Sequence, residues 1–130
     1  MPPMRMVHEA DPASELLKKA GSLDEIVLLG DQILLGVYKR PEKTASGLYL
    51  SDKTRDEDEH QGKAGLVLKV GPGCFKYDGD YAYEGPQPKV GDWVACWVTD
   101  GRKVNINGVL CRVVRSDQVR MIIPAPDVVY

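Results

Sequence analysis

The residues able to do covalent or metal chemistry are few, and their spacing does not suit it. Both histidines, His8 and His60, sit among polar neighbours, in an N-terminal stretch and in a charged run. Histidine is the commonest general base, but neither one has a nucleophile placed to form a triad. The three cysteines, Cys74, Cys96 and Cys111, are odd in number and share no C-x-x-C spacing, so they spell neither a disulfide framework nor a zinc site. Cys96 and Cys111 lie in apolar runs and read as small core residues. Cys74 lies in a glycine-rich loop, where exposure to solvent is expected, with only Lys76 near enough to favour its thiolate. Asp52, Asp56, Glu57, Asp58 and Glu59 gather carboxylates without the spacing of a calcium loop, and Lys53 and Arg55 are interleaved, so they read as a solvated charge run. Gly71-Pro72-Gly73 lacks the G-x-G-x-x-G order and precedes no helix signal, which argues against a phosphate cradle. No set of acid, base and nucleophile emerges, and the expectation is a protein without catalysis, cofactor or bound metal.

What remains is a surface rather than a reaction centre. Between Pro41 and Gly65 the chain is polar and charged except for one compact apolar triplet, Leu48-Tyr49-Leu50. Stretches of this length without core-forming residues are uncommon in a compact domain, and functional or disordered where they occur. The triplet is therefore expected to find its burial against a partner, with the rest of the chain as the scaffold that presents it.

The composition limits what that partner is. A chain of 130 residues holds one core, and 43% hydrophobic with 28% charged residues is ordinary for a soluble globular domain. A formal net charge of -2 lacks the basic excess that a nucleic-acid backbone demands. No apolar run approaches the roughly eighteen residues of a membrane span, and MPPMRMVHEADP has no stretch resembling a secretory signal. A cytoplasmic protein with a protein partner is expected.

The scaffold is read from its punctuation. Asp11 as N-cap, Pro12 at the first helical position, Leu16 and Leu17 inside, Lys18 and Lys19 in the last turn and Gly21 as stop predict a short helix packed on the domain. Ser22 to Glu25 repeats a capping spacing before Ile26-Val27-Leu28-Leu29, which predicts either a second short helix or the lead into a strand. Strands are then expected at Ile33 to Tyr38, Leu66 to Val70, Trp93 to Val98, Val104 to Ile106, Val109 to Val114 and Val119 to Ile123. Asp100-Gly101 and Asn107-Gly108 read as tight hairpin turns, and Ser116-Asp117 as a short polar turn. Cys74 to Pro88, with Phe75, Tyr77, Tyr81 and Tyr83 alternating around Asp78-Gly79, predicts a projecting hairpin. The fold class is all-β, a small antiparallel barrel, with Ile33, Leu35, Val67, Val94, Cys96, Val113 and Ile122 or their neighbours facing its core.

In order along the chain, Asp31-Gln32-Ile33-Leu34-Leu35, Lys43-Thr44-Ala45-Ser46-Gly47 with the triplet, Gly65 to Gly73 as G-x-V-x-x-V-G-x-G, and Lys89-Val90-Gly91-Asp92 as K-x-G-D resemble the successive blocks of the GroES-type co-chaperonins. The resemblance covers about Asp31 to Ile123, leaving residues 1–30 as an N-terminal extension and 124–130 as a tail. It implies a GroES-like barrel with a long mobile loop, assembled as a ring, a heptamer in that family, that caps a GroEL-type chaperonin while the partner binds ATP. It implies that Gly47, Leu48, Tyr49 and Leu50 are the docking segment. Tyr77, Asp78, Gly79, Asp80 and Tyr81 would form the hairpin that roofs the dome. The last strand would pair with the first barrel strand of a neighbour, putting Ile33, Leu35, Met121, Ile122 and Ile123 at the subunit interface. The chain departs from the pattern in its extension, in Tyr49 at the centre of the triplet, in a longer and more charged loop after it, and in its tail.

A second reading keeps the barrel but uses it in a shell or virion, since extensions are how barrel proteins reach neighbours. The two differ in what Leu48→Asp disturbs: capture of a chaperonin in the first, assembly or nothing in the second.

Overall fold

The computed structural model describes residues 11–38, 63–75 and 86–126. The charged run, both histidines, Gly47 to Leu50 and Tyr77 to Tyr81 lie outside the described residues. Helix α1, Pro12–Ala20, begins where its punctuation says: the Asp11 carboxylate accepts from the Ser14 N–H at 3.3 Å and the Ser14 hydroxyl at 2.8 Å. It ends at Gly21, whose N–H donates to the Leu17 carbonyl at 3.3 Å. Glu15 and Lys19 pair on its outer face at 2.8 Å, which holds the Glu15 carboxyl below its usual range. Its inner face, Ala13, Leu16 and Ala20, packs on the sheet, with Ala20 almost fully buried.

Of the two alternatives for Ile26 to Leu29 the structure takes the second: the segment forms no helix and leads into the first strand, at Gln32. The Ser22 hydroxyl accepts from Asp24 N–H at 3.5 Å, closing a local turn. The Leu23 carbonyl, which a helix would need, takes Lys69 Nζ at 2.6 Å and Ile26 N–H at 3.1 Å. The chain then runs irregularly to a second turn in which Gln32 N–H donates to Leu29 O at 3.3 Å.

Six strands follow: β1 Gln32–Val37, β2 Ala64–Val70, β3 Trp93–Ala95, β4 Arg102–Ile106, β5 Val109–Arg115 and β6 Met121–Ile123. They form one antiparallel sheet in the order β4-β5-β1-β2-β3-β6. A bulge at Leu68 shifts the β1 and β2 register between Leu34↔Lys69 and Leu35↔Val67. Strand β3 is shorter than its apolar run because the Asp100 carboxylate takes Trp97 N–H at 2.9 Å and folds the chain out of the sheet after Cys96. Asn107-Gly108 is the expected hairpin turn, with φ of 52° and 79° joining β4 to β5. Asp100-Gly101 is not, since the strands it joins, β3 and β4, are not neighbours. Gly101 instead lets the backbone cross β5, where a Cβ would stand 2.3 Å from the Val113 carbonyl oxygen.

The sheet curls strongly. Arg112 on β5 reaches Cys96 Sγ and the Trp97 carbonyl beyond β3, each at 3.3 Å, although β1 and β2 lie between in sheet order. The concave face buries Ile33, Leu35, Val67, Val94, Cys96 and Val114, closed at one end by Cys74 and Phe75. This is the expected core face, with Val114 in place of Val113; Ile122, opposite Val94, is on the right face but 45% exposed. The other face is apolar as well: Leu34, Tyr38, Leu66, Leu68, Trp93 and Cys111 pack under α1. Gly36 makes the room, since a Cβ there would meet Leu68 and Leu16 at 3.4 and 3.5 Å.

Candidate binding surfaces

Both excursions singled out by the sequence have their roots among the described residues. The stretch carrying Gly47 to Leu50 joins β1 to β2, and its two ends are held together: Val37 pairs with Gly65, and Tyr38 N–H meets the Ala64 carbonyl at 3.5 Å. Tyr38 is 3% exposed and packs edge-on against Trp93, ring centroids 5.6 Å apart at 77°. On the other side, the Lys63 carbonyl accepts from Cys96 N–H at 3.0 Å. The triplet therefore springs from a fixed hairpin base.

The second excursion leaves at Phe75, which is buried with φ of 58° and donates its N–H to Ser116 Oγ at 3.4 Å. Its base is the Gly71-Pro72-Gly73 turn, stacked on Gly30 to Gln32: Gly71 N–H reaches Gln32 O at 2.8 Å and Gly73 N–H reaches Gly30 O at 2.7 Å. A Cβ on Gly71 would stand 2.8 Å from both carbonyl oxygens. These glycines serve backbone packing, not a phosphate. The chain re-enters through Lys89 to Asp92, where the Asp92 carboxylate takes Lys89 N–H at 3.0 Å while Gly91 N–H and the Asp92 carbonyl bracket Val67, each at 2.9 Å. That bracket is the structural sense of the K-x-G-D block.

The five residues expected between subunits divide. Ile33 and Leu35 are at most 1% exposed inside the subunit, and β1 is hydrogen-bonded to β5 on one side and β2 on the other. A neighbour's strand has no edge to join there, which corrects the expectation for β1. Met121 and Ile122 are 50% and 45% exposed on β6, an outer strand of the sheet, while Ile123 is buried. The opposite outer strand, β4, is exposed along most of its length and carries Arg102 and Lys103. A groove of about 500 Å³ runs beside β6, lined by Phe75, Pro86, Pro88, Val119, Met121 and Ile122. Two exposed apolar features escape sequence reading: Val27 and Leu29 before β1, and Trp97 beside β6. Each sits in an apolar run that reads as core.

All three cysteines are free and buried, Cys74 included, against the expectation of an exposed thiol. Its Sγ reaches the Gln32 carbonyl at 3.2 Å under the glycine turn. Burial raises the pKa of each thiol; at Cys96 the Arg112 guanidinium offsets part of the effect. No cluster of three metal-ligating side chains occurs among the described residues, and no helix there is long and apolar enough to cross a membrane.

The family model of the chaperonin 10 Kd subunit matches residues 25–123, beginning ahead of the Asp31 at which the motif order starts. A co-chaperonin GroES from Halothermothrix orenii is 38% identical over 80 residues, which is 62% of this chain and 77% of that protein. A co-chaperonin GroES from Oleidesulfovibrio alaskensis is 34% identical over 95 residues, 73% of this chain and 94% of its own length. Another, from Natranaerobius thermophilus, is 30% identical with the same coverage. The motif blocks, the curled antiparallel sheet and the span of the match agree: this chain belongs to the chaperonin 10 Kd subunit family.

Proposed function

We propose that this protein is a co-chaperonin, a ring of copies, seven as in the family it resembles, that caps a GroEL-type chaperonin and assists ATP-dependent folding, the nucleotide being bound by the partner. The observation that carries the reading is the base of the 39–62 connection: the family's docking stretch falls between two strand ends clamped by Tyr38 and Trp93. Gly47, Leu48, Tyr49 and Leu50 are the docking segment, and Tyr77 to Tyr81 the roof of the dome. Fully burying three such side chains is worth about 1.5–3 kcal/mol each, and ordering the backbone costs about 1–2 kcal/mol per residue. One segment binds weakly; a ring of them gains by making later contacts intramolecular, on the order of a hundredfold or more.

Subunits meet at β6. Its outer edge bears Met121 and Ile122, whereas the β4 edge bears Arg102 and Lys103, the charges that discourage strand addition. With β1 closed on both sides, the neighbour's contribution is Ile26 to Leu29, which pairs with no strand among the described residues and exposes Val27 and Leu29 at 74% and 76%. Cys96 N–H donates to Lys63 O, just ahead of β2, so Ala95 faces β6, where its carbonyl takes Arg120 N–H at 2.8 Å; Met121, opposite Ala95, turns inward and alternation aims the Ile122 N–H outward.

The test measures ring mass by light scattering and capture by a GroEL-type chaperonin with nucleotide. Leu48→Asp is expected to leave the ring intact and abolish capture, because a buried unpaired carboxylate costs several kcal/mol at each contact. Ile122→Pro, which removes an outward donor, is expected to give folded monomers. A Leu48→Asp ring that still binds would overturn the docking assignment, and a wild-type ring that binds no chaperonin under any nucleotide condition would overturn the function.

A further inference from the structure

Trp97 stands beside β6 and takes no part in the strand addition proposed above. It is 56% exposed, although tryptophan is a costly side chain to leave in water, and it is held rather than loose. The Arg120 guanidinium lies over its ring, 5.4 Å from the centroid. Asp100 Oδ2 accepts the Trp97 N–H at 2.9 Å and lies 3.9 Å from Arg120 Nη2. Carboxylate and guanidinium thus offset each other's charge, the carboxylate holding the Trp97 backbone and the guanidinium covering one face of its indole. Met121 follows Arg120 directly in the chain, so the indole continues the apolar edge of β6.

We infer that Trp97 is an anchor for a second copy of this chain, a contact between subunits in addition to strand addition at β6; the inference rests on the ring assembly proposed above. Three observations favour a second copy as the occupant. The patch is continuous with the β6 edge, its charges are internally offset and so suit an apolar partner, and the chain itself supplies that partner in the exposed Val27 and Leu29. A pre-positioned tryptophan loses little conformational freedom on contact, which is why such residues dominate interface energetics.

The chain has two tryptophans, and Trp93 is 7% exposed, so collisional quenching by acrylamide reads Trp97 almost alone. Quenching is expected to be strong in the Ile122→Pro monomer and largely lost in the wild-type ring. Trp97→Ala is expected to raise the ring's dissociation concentration about tenfold or more, with Trp97→Phe between it and wild type and an unchanged far-UV circular dichroism spectrum for each monomer. Arg120→Gln, which keeps the indole but removes its stacked cation, should weaken the ring by less. Equal quenching in ring and monomer, or a Trp97→Ala ring that dissociates at the wild-type concentration, would refute the Trp97 contact and leave the ring standing. A wild-type protein that is monomeric at every concentration would refute both.

Discussion

Replacing Gly101 by alanine tests whether the crossing of β5 is as tight as its geometry implies, and two other glycines supply the control. Gly91, Gly101 and Gly108 all have left-handed φ, 94°, 74° and 79°, but only at Gly101 does a Cβ meet anything: the Val113 carbonyl oxygen at 2.3 Å and Val114 Cγ1 at 2.6 Å. Left-handed backbone costs an alanine about 1–2 kcal/mol, and this is the whole expected effect at Gly91 and Gly108. At Gly101 the chain must also move away from β5 by most of an ångström, against a strand paired on both sides. Forced displacement of that kind adds about 1–3 kcal/mol. With a urea slope of about 1–3 kcal/mol per molar, Gly101→Ala should unfold roughly 1 M earlier than Gly108→Ala. The measurement is urea unfolding followed by circular dichroism at one fixed chain concentration, because assembly shifts the midpoint. Equal midpoints for the two variants would refute the argument.

The buried thiols and the seat of α1 give further tests. Burial raises all three thiol pKa values above their ordinary 9.0, so the native protein should resist alkylation at pH 8 while the urea-unfolded chain labels fully; because the unfolded thiols ionise first, stability is kept below about pH 9 and lost as the pH rises through the folded values. Leu16→Ala, emptying the space over Gly36, should cost about 1–3 kcal/mol and Asn107→Ala, which removes the 2.6 Å bond from its side-chain amide to the Ala20 carbonyl, about 1 kcal/mol; unchanged urea midpoints in both would make α1 a passenger.

How far the sequence could be read depended on whether the information was local. Helix α1 was legible to the residue because capping is settled within four positions, by Asp11, Pro12 and Gly21. The Asn107-Gly108 hairpin was legible for the same reason, since its two positive φ values are a property of the dipeptide. Asp100-Gly101 carries the same local signal and serves another end, because which strands a turn joins depends on sheet order, a long-range fact. The fate of Ile26 to Leu29 was equally non-local: Lys69, far along the chain, takes the Leu23 carbonyl. Cys74 looked exposed because glycine-rich loops usually are, but this one is folded back onto Gly30 to Gln32 by its own amides. The interface expectation at β1 fails on the same ground. Apolar content identifies a strand, not whether β5 and β2 have already used both of its edges. Where the 39–62 and 76–85 connections leave the sheet was readable in outline; what clamps their bases, Tyr38 on Trp93 and Phe75 on Ser116, was not, since each pair joins residues distant in sequence.

The energetics of the proposed assembly impose an order on its steps. A single docking segment gains about 1.5–3 kcal/mol for each of three side chains and loses about 1–2 kcal/mol for each backbone residue it orders, so its net is close to zero. Capture then depends on the copies being joined beforehand, because effective concentration acts only on segments already tied together. The ring contact must therefore be the stronger of the two and must exist without the chaperonin. A three-residue strand such as β6 supplies few ladder bonds for that task. Apolar contact has to supply the remainder, and the exposed apolar residues near that edge are Met121, Ile122 and Trp97, with Val27 and Leu29 as their counterparts. Weakening the ring at Trp97 should consequently weaken chaperonin capture more steeply than it weakens the ring, although Trp97 lies outside the docking segment.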